Sequence, residues 1–319
     1  MRLLTFEHAG RPKLGALAPD GGIVDVAERH PHPALASMQN LIEGGGEVLA
    51  IVGRIVGEAT ETIDPSSVRW LSPLPRPVQM RDFLVFEEHM RMAGWQGAKL
   101  RASWGGPPAP AEPMPIPPIW YEQPIYYKGN RFAVTGSGVD VAWPAASRVI
   151  DYELELACVI GAGGRDIAAA DAPAHIFGYT IFNDLTARDW QFKEMQGPLG
   201  PAKGKDFDGA NVLGPLIATA DEFDGYPALN MRAFVNDELW SAGNSATMHW
   251  TWGDIIQHVS RSETLHPGEV LGSGTVGGGC GLELGRFLAN GDVIALEIDG
   301  IGRIENRIIA PHVVERLTL

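Results

Sequence analysis

A strand-rich α+β fold in two parts is what this sequence predicts: a small β-rich N-terminal domain over residues 1–75 and a larger domain over residues 76–319. Three observations carry that expectation. Arg148 to Gly161 alternates Asp151, Glu153 and Glu155 with Tyr152, Leu154 and Leu156 before the apolar run Ala157-Cys158-Val159-Ile160, and a period of two marks a strand. Strand-like runs outnumber helical ones over most of the remaining chain. Asp64-Pro65-Ser66-Ser67 and Pro73-Leu74-Pro75-Arg76-Pro77 interrupt all periodicity, which sets a boundary near residue 75.

In chain order, Met1 to Phe6 and Leu14 to Val26 read as short strands joined at His8-Ala9-Gly10-Arg11-Pro12, with a second turn at Asp20-Gly21-Gly22. Helical patterns follow over Pro33 to Ile42 and Glu47 to Glu58. From Asp82 the sequence runs into a helix expected to end near Gly94. Gly105 to Pro118 is too rich in proline for a core and is expected as a surface excursion. Tyr126-Tyr127-Lys128-Gly129-Asn130 then leads to the acidic strand. Gly178 to Phe182 forms a second buried strand, and a helix expected to start at Asn183-Asp184 would put Asp184, Arg188 and Gln191 on one face. Lys203 to Gly209 supplies a glycine-containing loop. The remainder reads as strands, including Cys280 to Phe287, with one helix near Trp252 to Arg261 and no internal repeat.

Composition narrows the function classes. With 25 Lys and Arg against 39 Asp and Glu, a formal charge of −14 and no basic cluster, the chain is a poor partner for nucleic acid or an anionic membrane, so a small molecule is expected. Its two cysteines cannot make a disulfide framework, and Cys158 lies in an apolar strand, so a reducing cytoplasm is the expected location. The N-terminus has no long apolar region, and no apolar run approaches the roughly 18 residues of a membrane span.

The alternation also carries chemistry. Burying unpaired carboxylates on one face of an apolar strand is costly, so positive charge must sit among them, and a divalent cation is the economical answer. If Asp82 and Asp184 join Glu153 and Glu155, four carboxylates without His or Cys at ligand spacing favour oxygen-coordinated Mg²⁺, Ca²⁺ or Mn²⁺ over zinc. Arg188 and Lys205 would balance the remaining charge and hold an anionic substrate. Taken singly, Asp82 and Asp184 also fit helix N-caps and His89 a satisfied core histidine. The run Gly272-Ser273-Gly274-Thr275-Val276-Gly277 matches a dinucleotide fingerprint in spacing only, because a strand rather than a helix is expected after it. It reads as a loop whose backbone amides approach an anionic ligand.

Several motifs together identify a likeness. Asp82 with His89, Asp151-Tyr152-Glu153-Leu154-Glu155, Asn183-Asp184-Leu185-Thr186-Ala187-Arg188-Asp189-Trp190-Gln191, Gly204-Lys205, and Gly274-Thr275 with Glu283 resemble the fumarylacetoacetate hydrolase family in order and spacing, over most of residues 76 to 319. The resemblance implies a mixed β-sandwich roll, with residues 1–75 as the family's more variable N-terminal domain. It implies metal ligands Asp82, Glu153, Glu155 and Asp184, with Mg²⁺ foremost and Ca²⁺ or Mn²⁺ as alternatives. His89 matches a general base that activates water, and Glu283 the carboxylate that orients it. Arg188, Gln191 and Lys205 match groups that bind diketo oxygens or stabilise the leaving carbanion, Tyr127 and Thr275 match substrate contacts, and a homodimer is implied.

The expected reaction is hydrolysis of a carbon–carbon bond in a small anionic β-diketone or 2,4-diketo acid, fumarylacetoacetate or acylpyruvate-like. Hydroxide attacks one carbonyl and the other half leaves as an enolate, whose energy cationic groups lower. Relatives lacking an activated water act as isomerases, decarboxylases or hydratases on 2-oxo acids, and the presence of His89 and Glu283 favours hydrolysis. Leu84 stands where fumarylacetoacetases have a substrate-contacting tyrosine, so a related diketo acid is expected. A non-catalytic, metal-stabilised binding protein is disfavoured, because a structural ion site does not require a histidine, arginine, glutamine and lysine to converge.

Overall fold

The chain, in a computed structural model that describes residues 1–197, 199–313 and 315–319, is built around the strand that follows the acidic alternation. Leu154–Ile160 is buried at every residue. Its even-numbered side chains, Leu154, Leu156, Cys158 and Ile160, enter the largest core cluster. Its odd-numbered side chains Ala157 and Val159 pack on the other face against Met38, Leu41, Ile42 and Val52 of helix Met38–Gly57. Each fully buried Leu, Ile or Val contributes about 1.5–3 kcal/mol. With a core on both faces, the strand stays in place although Glu153 and Glu155 head its odd-numbered face.

The strand sits inside an 11-stranded sheet. Nine strands follow one another in the hydrogen-bonded order Ile23–Asp25, Arg11–Leu17, Arg2–His8, Asn211–Thr219, Ile176–Asp184, Leu154–Ile160, Val270–Gly272, Met80–Phe83 and Tyr126–Lys128, all antiparallel except Val270–Gly272 with Met80–Phe83. Off this path Arg69–Leu71 pairs antiparallel with Arg2–His8, and Val134–Thr135 pairs parallel with Asn211–Thr219. Because Arg2–His8 pairs with Asn211–Thr219, the sheet runs across residue 75. A five-stranded sheet, Glu238–Asn244, Asn230–Val235, Val293–Ile298, Gly302–Ile309 and Val141–Ala142, supplies the opposite wall of the main core. The fold is α+β and rich in strands, as expected.

Helix Met38–Gly57 begins at Ser37, whose side chain accepts the Asn40 N–H, and bends at Gly45, where φ is 64°. The two expected helical patterns are therefore one kinked helix. Helix Trp252–Ser260 starts with a reciprocal capping box between Thr251 and Asp254. The segment 105–118 is an irregular, mostly exposed excursion, pinned where the Trp95 indole donates to the Pro110 carbonyl at 2.9 Å. Among the described residues no helix is long and apolar enough to cross a membrane.

Three local expectations need correction. The helix after Asp82 spans Glu87–Ser103 and passes through Gly94, because its later turns bury Gly97 against Phe192 and place Leu100 in a cluster with Cys280, Leu282 and Phe287. That packing outweighs the roughly 1 kcal/mol an interior glycine costs. Strand Ile176–Asp184 continues through Asn183 and Asp184, which stay paired with Leu154 and Asn211, so the helix begins only at Arg188. Asp184 therefore does not share a helix face with Arg188 and Gln191. Finally, Cys280 to Phe287 is not a strand: Gly281–Leu284 is a helical turn, and Asp151 accepts its first two N–H groups at 2.7 and 3.0 Å.

Candidate active site

Sheet register gathers the carboxylates. Leu154 opposes Asn183 and Glu155 opposes Phe182, so Glu153, Glu155 and Asp184 share a face at adjacent cross-strand positions. Ala157 opposes Gly272, and Gly272 in turn opposes Asp82, which brings Asp82 to the same face from the second strand over. Gly272 leaves the space between them: a Cβ there would strike the Asp82 carboxylate and come within 3.0 Å of Glu155 Oε2. Gly274, at φ +78°, takes the left-handed conformation that lets its N–H reach Asp82 Oδ1 at 3.2 Å. As a result, one oxygen each from Asp82, Glu153, Glu155 and Asp184 lies within 4.8 Å of the others, all buried.

The protein supplies part of the positive charge itself. Arg188 donates from Nε to Asp151 Oδ2 at 2.7 Å, from Nη2 to Glu153 Oε1 at 2.8 Å and from Nη1 to Gln191 Oε1 at 3.0 Å. The Lys205 ammonium donates to Glu153 Oε2 and to Asp184 Oδ2, and the Tyr127 hydroxyl donates to Asp184 Oδ2 at 2.6 Å. Thr275 Oγ1 lies 3.5 Å from Glu155 Oε1.

Two cations do not neutralise these acids. Burial opposes ionisation of Glu153, yet Lys205 and Arg188 hold its pKa below the usual value. The others go the opposite way. Asp82 is pushed up to about 6, Asp184 up to about 8 and Glu155 well above its ordinary value, in each case first by burial; the Glu153 charge adds to the rise at all three, and Lys205 partly offsets it at Asp82 and Asp184. Glu155 Oε2 and Asp184 Oδ1 are buried without a hydrogen-bond partner. Orphaned carboxylate oxygens in an all-oxygen cluster short of positive charge fit a hard dication such as Mg²⁺, Mn²⁺ or Ca²⁺.

Beside this cluster, helix Glu87–Ser103 and the turn Gly281–Leu284 bring His89 and Glu283 together. His89 Nδ1 is 2.8 Å from Glu283 Oε2, and the Gly278 N–H donates to Glu283 Oε1 at 2.9 Å. Gln96 Nε2 ties the helix to the Glu283 carbonyl at 3.1 Å. Burial works against protonation of His89, but the Glu283 charge and hydrogen bond prevail and raise its pKa, with Glu153 adding to the effect. A carboxylate on Nδ1 holds the proton there and leaves Nε2 as the basic nitrogen.

Every residue singled out from the sequence lies in one of these two adjoining networks. Asp184 arrives from a strand end, whereas Arg188 and Gln191 come from the helix after it. The amides of Gly274 and Gly278 bind the chain's own Asp82 and Glu283 instead of being left for a ligand. Sequence reasoning gave no role to Asp151, the buried anchor of Arg188, nor to Cys280, whose Sγ is 3.4 Å from Glu283 Oε2. The signals were slight: Asp151 opens the acidic alternation and Cys280 stands three residues before Glu283. Asn183 was also overlooked, and its Oδ1 accepts the Glu153 N–H at 3.1 Å. Open grooves around Arg303 share none of these residues.

Comparison with known proteins identifies the family and the fold. A sequence profile of the family described as fumarylacetoacetate (FAA) hydrolase C-terminal matches residues 86–309. The mitochondrial oxaloacetate tautomerase FAHD2B of Bos taurus is 30% identical over 316 residues, 97% of this chain and 92% of that protein. Among solved structures, a fumarylacetoacetate hydrolase from Exiguobacterium antarcticum superposes with a TM-score of 0.73 at 28% identity, covering 97% of this chain and 99% of the other. Maleylpyruvate hydrolase from Sphingobium sp. SYK-6, in complex with manganese(II) and pyruvate, shares the fold with a TM-score of 0.71 at 22% identity, covering 97% and 99%.

Proposed function

The chain belongs to the fumarylacetoacetate hydrolase C-terminal family, and from that premise we propose that it interconverts the keto and enol forms of a small 2-oxo diacid of the oxaloacetate class. The observation that carries this reading is the His89–Glu283 pair at the edge of the carboxylate cluster, which the sequence alone assigned to water activation but which serves equally to take a proton from carbon. Enolisation needs a base at one carbon and a counter-charge at the neighbouring oxygen, and both are present. The similarity to a tautomerase over nearly the whole chain supports the same choice.

His89 Nε2 takes a proton from C3, the electron pair moves into the C2–C3 bond, and negative charge builds on the C2 oxygen. Two Lys205 N–H donors are occupied by Glu153 and Asp184. The third, with the amide N–H groups of Gln191, is the donor set for that oxygen or for the substrate carboxylates. Return of the proton to oxygen completes the enol. Asp82, Glu153, Glu155 and Asp184 would hold a divalent cation, Mg²⁺ in this reading, whose contribution is Lewis-acid polarisation of the 2-oxo group. Tyr127 and Thr275 contact the substrate, Arg188 fixes Glu153 and Gln191, and the assembly is a homodimer.

A second reading is hydrolysis of a 2,4-diketo acid, with His89 activating water. A buried imidazole oriented by a carboxylate is suited to that task as well. Incubating the Mg²⁺-loaded protein with oxaloacetate, and separately with acylpyruvates, tests the choice by ultraviolet absorbance. Faster keto–enol equilibration with persistent diketone absorbance is expected. Loss of the diketone, with oxaloacetate equilibrating only at its uncatalysed rate, replaces the tautomerase reading with the hydrolase one.

A further inference from the structure

Next to the all-oxygen cluster the fold assembles a second donor set of different chemistry. One ligand atom each from His89, Cys280 and Glu283 lies within 4.8 Å of the other two, and all three residues are buried. Glu283 Oε2 is 2.8 Å from His89 Nδ1 and 3.4 Å from Cys280 Sγ. Around a tetrahedral zinc, bonds of about 2.0–2.2 Å to nitrogen and oxygen and about 2.3 Å to sulfur give edges of about 3.4 Å for N···O and about 3.5 Å for S···O. The sulfur–oxygen spacing already matches, and the nitrogen–oxygen pair need open by only about 0.6 Å.

We propose that His89, Cys280 and Glu283 form a thiophilic metal site for Zn²⁺ or a similar soft dication, separate from the carboxylate cluster, and that filling it switches off the reaction that uses His89. On binding, the Cys280 thiol releases its proton to solvent and the His89 proton passes from Nδ1 to Nε2. Thiolate, carboxylate, neutral imidazole and Zn²⁺ then sum to zero, a favourable charge state for a buried group. The thiol gives up its proton only to such a cation, since burial and then the Glu283 and Asp151 charges hold its pKa well above the ordinary value. A metal on Nδ1 forces the proton onto Nε2 and so removes the lone pair that acts as base. Ligand hardness sorts the two sites: Mg²⁺ takes the carboxylates, and the imidazole and thiolate select zinc.

The test uses the full-length, Mg²⁺-loaded protein with Co²⁺ as a coloured stand-in for Zn²⁺. A thiolate-to-cobalt charge-transfer band in the near ultraviolet should saturate at roughly one equivalent, vanish in Cys280→Ala and persist in Cys158→Ala. X-ray absorption of the zinc-loaded wild type needs no variant and should find one sulfur neighbour at about 2.3 Å. Zn²⁺ added at saturating Mg²⁺ should inhibit. Relative to its own zinc-free rate, Cys280→Ala should need at least roughly tenfold more zinc for the same inhibition. Absence of the band in wild type, a zinc shell of oxygen and nitrogen alone, or inhibition fully relieved by raising Mg²⁺ would overturn the proposal.

Discussion

Loading a divalent cation into the Asp82–Glu153–Glu155–Asp184 cluster should expel protons. In the metal-free protein Asp82 titrates at about 6, Asp184 at about 8 and Glu155 well above its ordinary value, while Glu153 stays ionised below its own. At pH 7 these positions hold ~0.1 proton on Asp82 and ~0.9 on Asp184, so a cation that needs all four ionised displaces about one from this pair, and any proton that the raised Glu155 carboxyl retains adds to the count. Between pH 6 and pH 7 the apparent affinity should therefore rise at least roughly tenfold, and the release should fall towards pH 9 as Asp184 ionises unaided. Calorimetric titration with Mg²⁺ or Mn²⁺ in buffers of different ionisation enthalpy counts these protons without reference to turnover. Glu155→Gln should release fewer of them and bind the cation more weakly. Release of less than about half a proton at pH 7, or an unchanged count in Glu155→Gln, would refute the assignment of the cluster as a cation site.

Further outcomes follow from the same geometry. His89→Ala should keep cation binding, whose ligands are carboxylates, but lose roughly 10²–10⁴-fold in turnover, measured by stopped-flow absorbance on the Mg²⁺-loaded protein. The reaction needs neutral His89, so kcat/KM rises with pH through the His89 pKa. Since Glu283 raises that pKa, Glu283→Gln should move the acidic limb to lower pH as well as lower the plateau, and an unmoved limb would remove His89 from the proton transfer. Asp151→Ala should destabilise the fold by about 3–5 kcal/mol in chemical denaturation, because it leaves the buried Arg188 without its anchor. Loss of less than about 1 kcal/mol would show that Glu153 and Gln191 suffice to hold the guanidinium.

Local pattern sufficed where a residue's neighbours in sequence are also its determinants. The period of two placed Glu153 and Glu155 on one face, and the register Leu154↔Asn183 confirms that face. Prolines at 107–118 forced an excursion, and Thr251 with Asp254 started a helix where one was expected. Pattern misled where a distant partner prevailed. Asn183 and Asp184 read as a helix start, but cross-strand pairing with Asn211 and Leu154 kept them extended. Gly94 read as a helix stop, but Leu100 had a core to enter one and a half turns further on. Cys280 to Phe287 read as a strand, yet the Asp151 carboxylate, 130 residues away along the chain, drew its first amides into a helical turn.

The sequence by itself determined which chemistry is available: four carboxylates, one histidine with a partner acid, and an arginine, lysine and glutamine in a family order. Side-chain types and their spacing are local properties, and they carry over without knowledge of the fold. Only the tertiary structure decided how charge is shared among them. Arg188 is committed to Asp151, Glu153 and Gln191, Lys205 lies between Glu153 and Asp184, and Glu155 is left with an unpartnered oxygen. The same structure set Cys280 against Glu283. Burial and distance fix pKa and metal preference, and both depend on strands that meet across more than a hundred residues of chain, a relation no local stretch of sequence records.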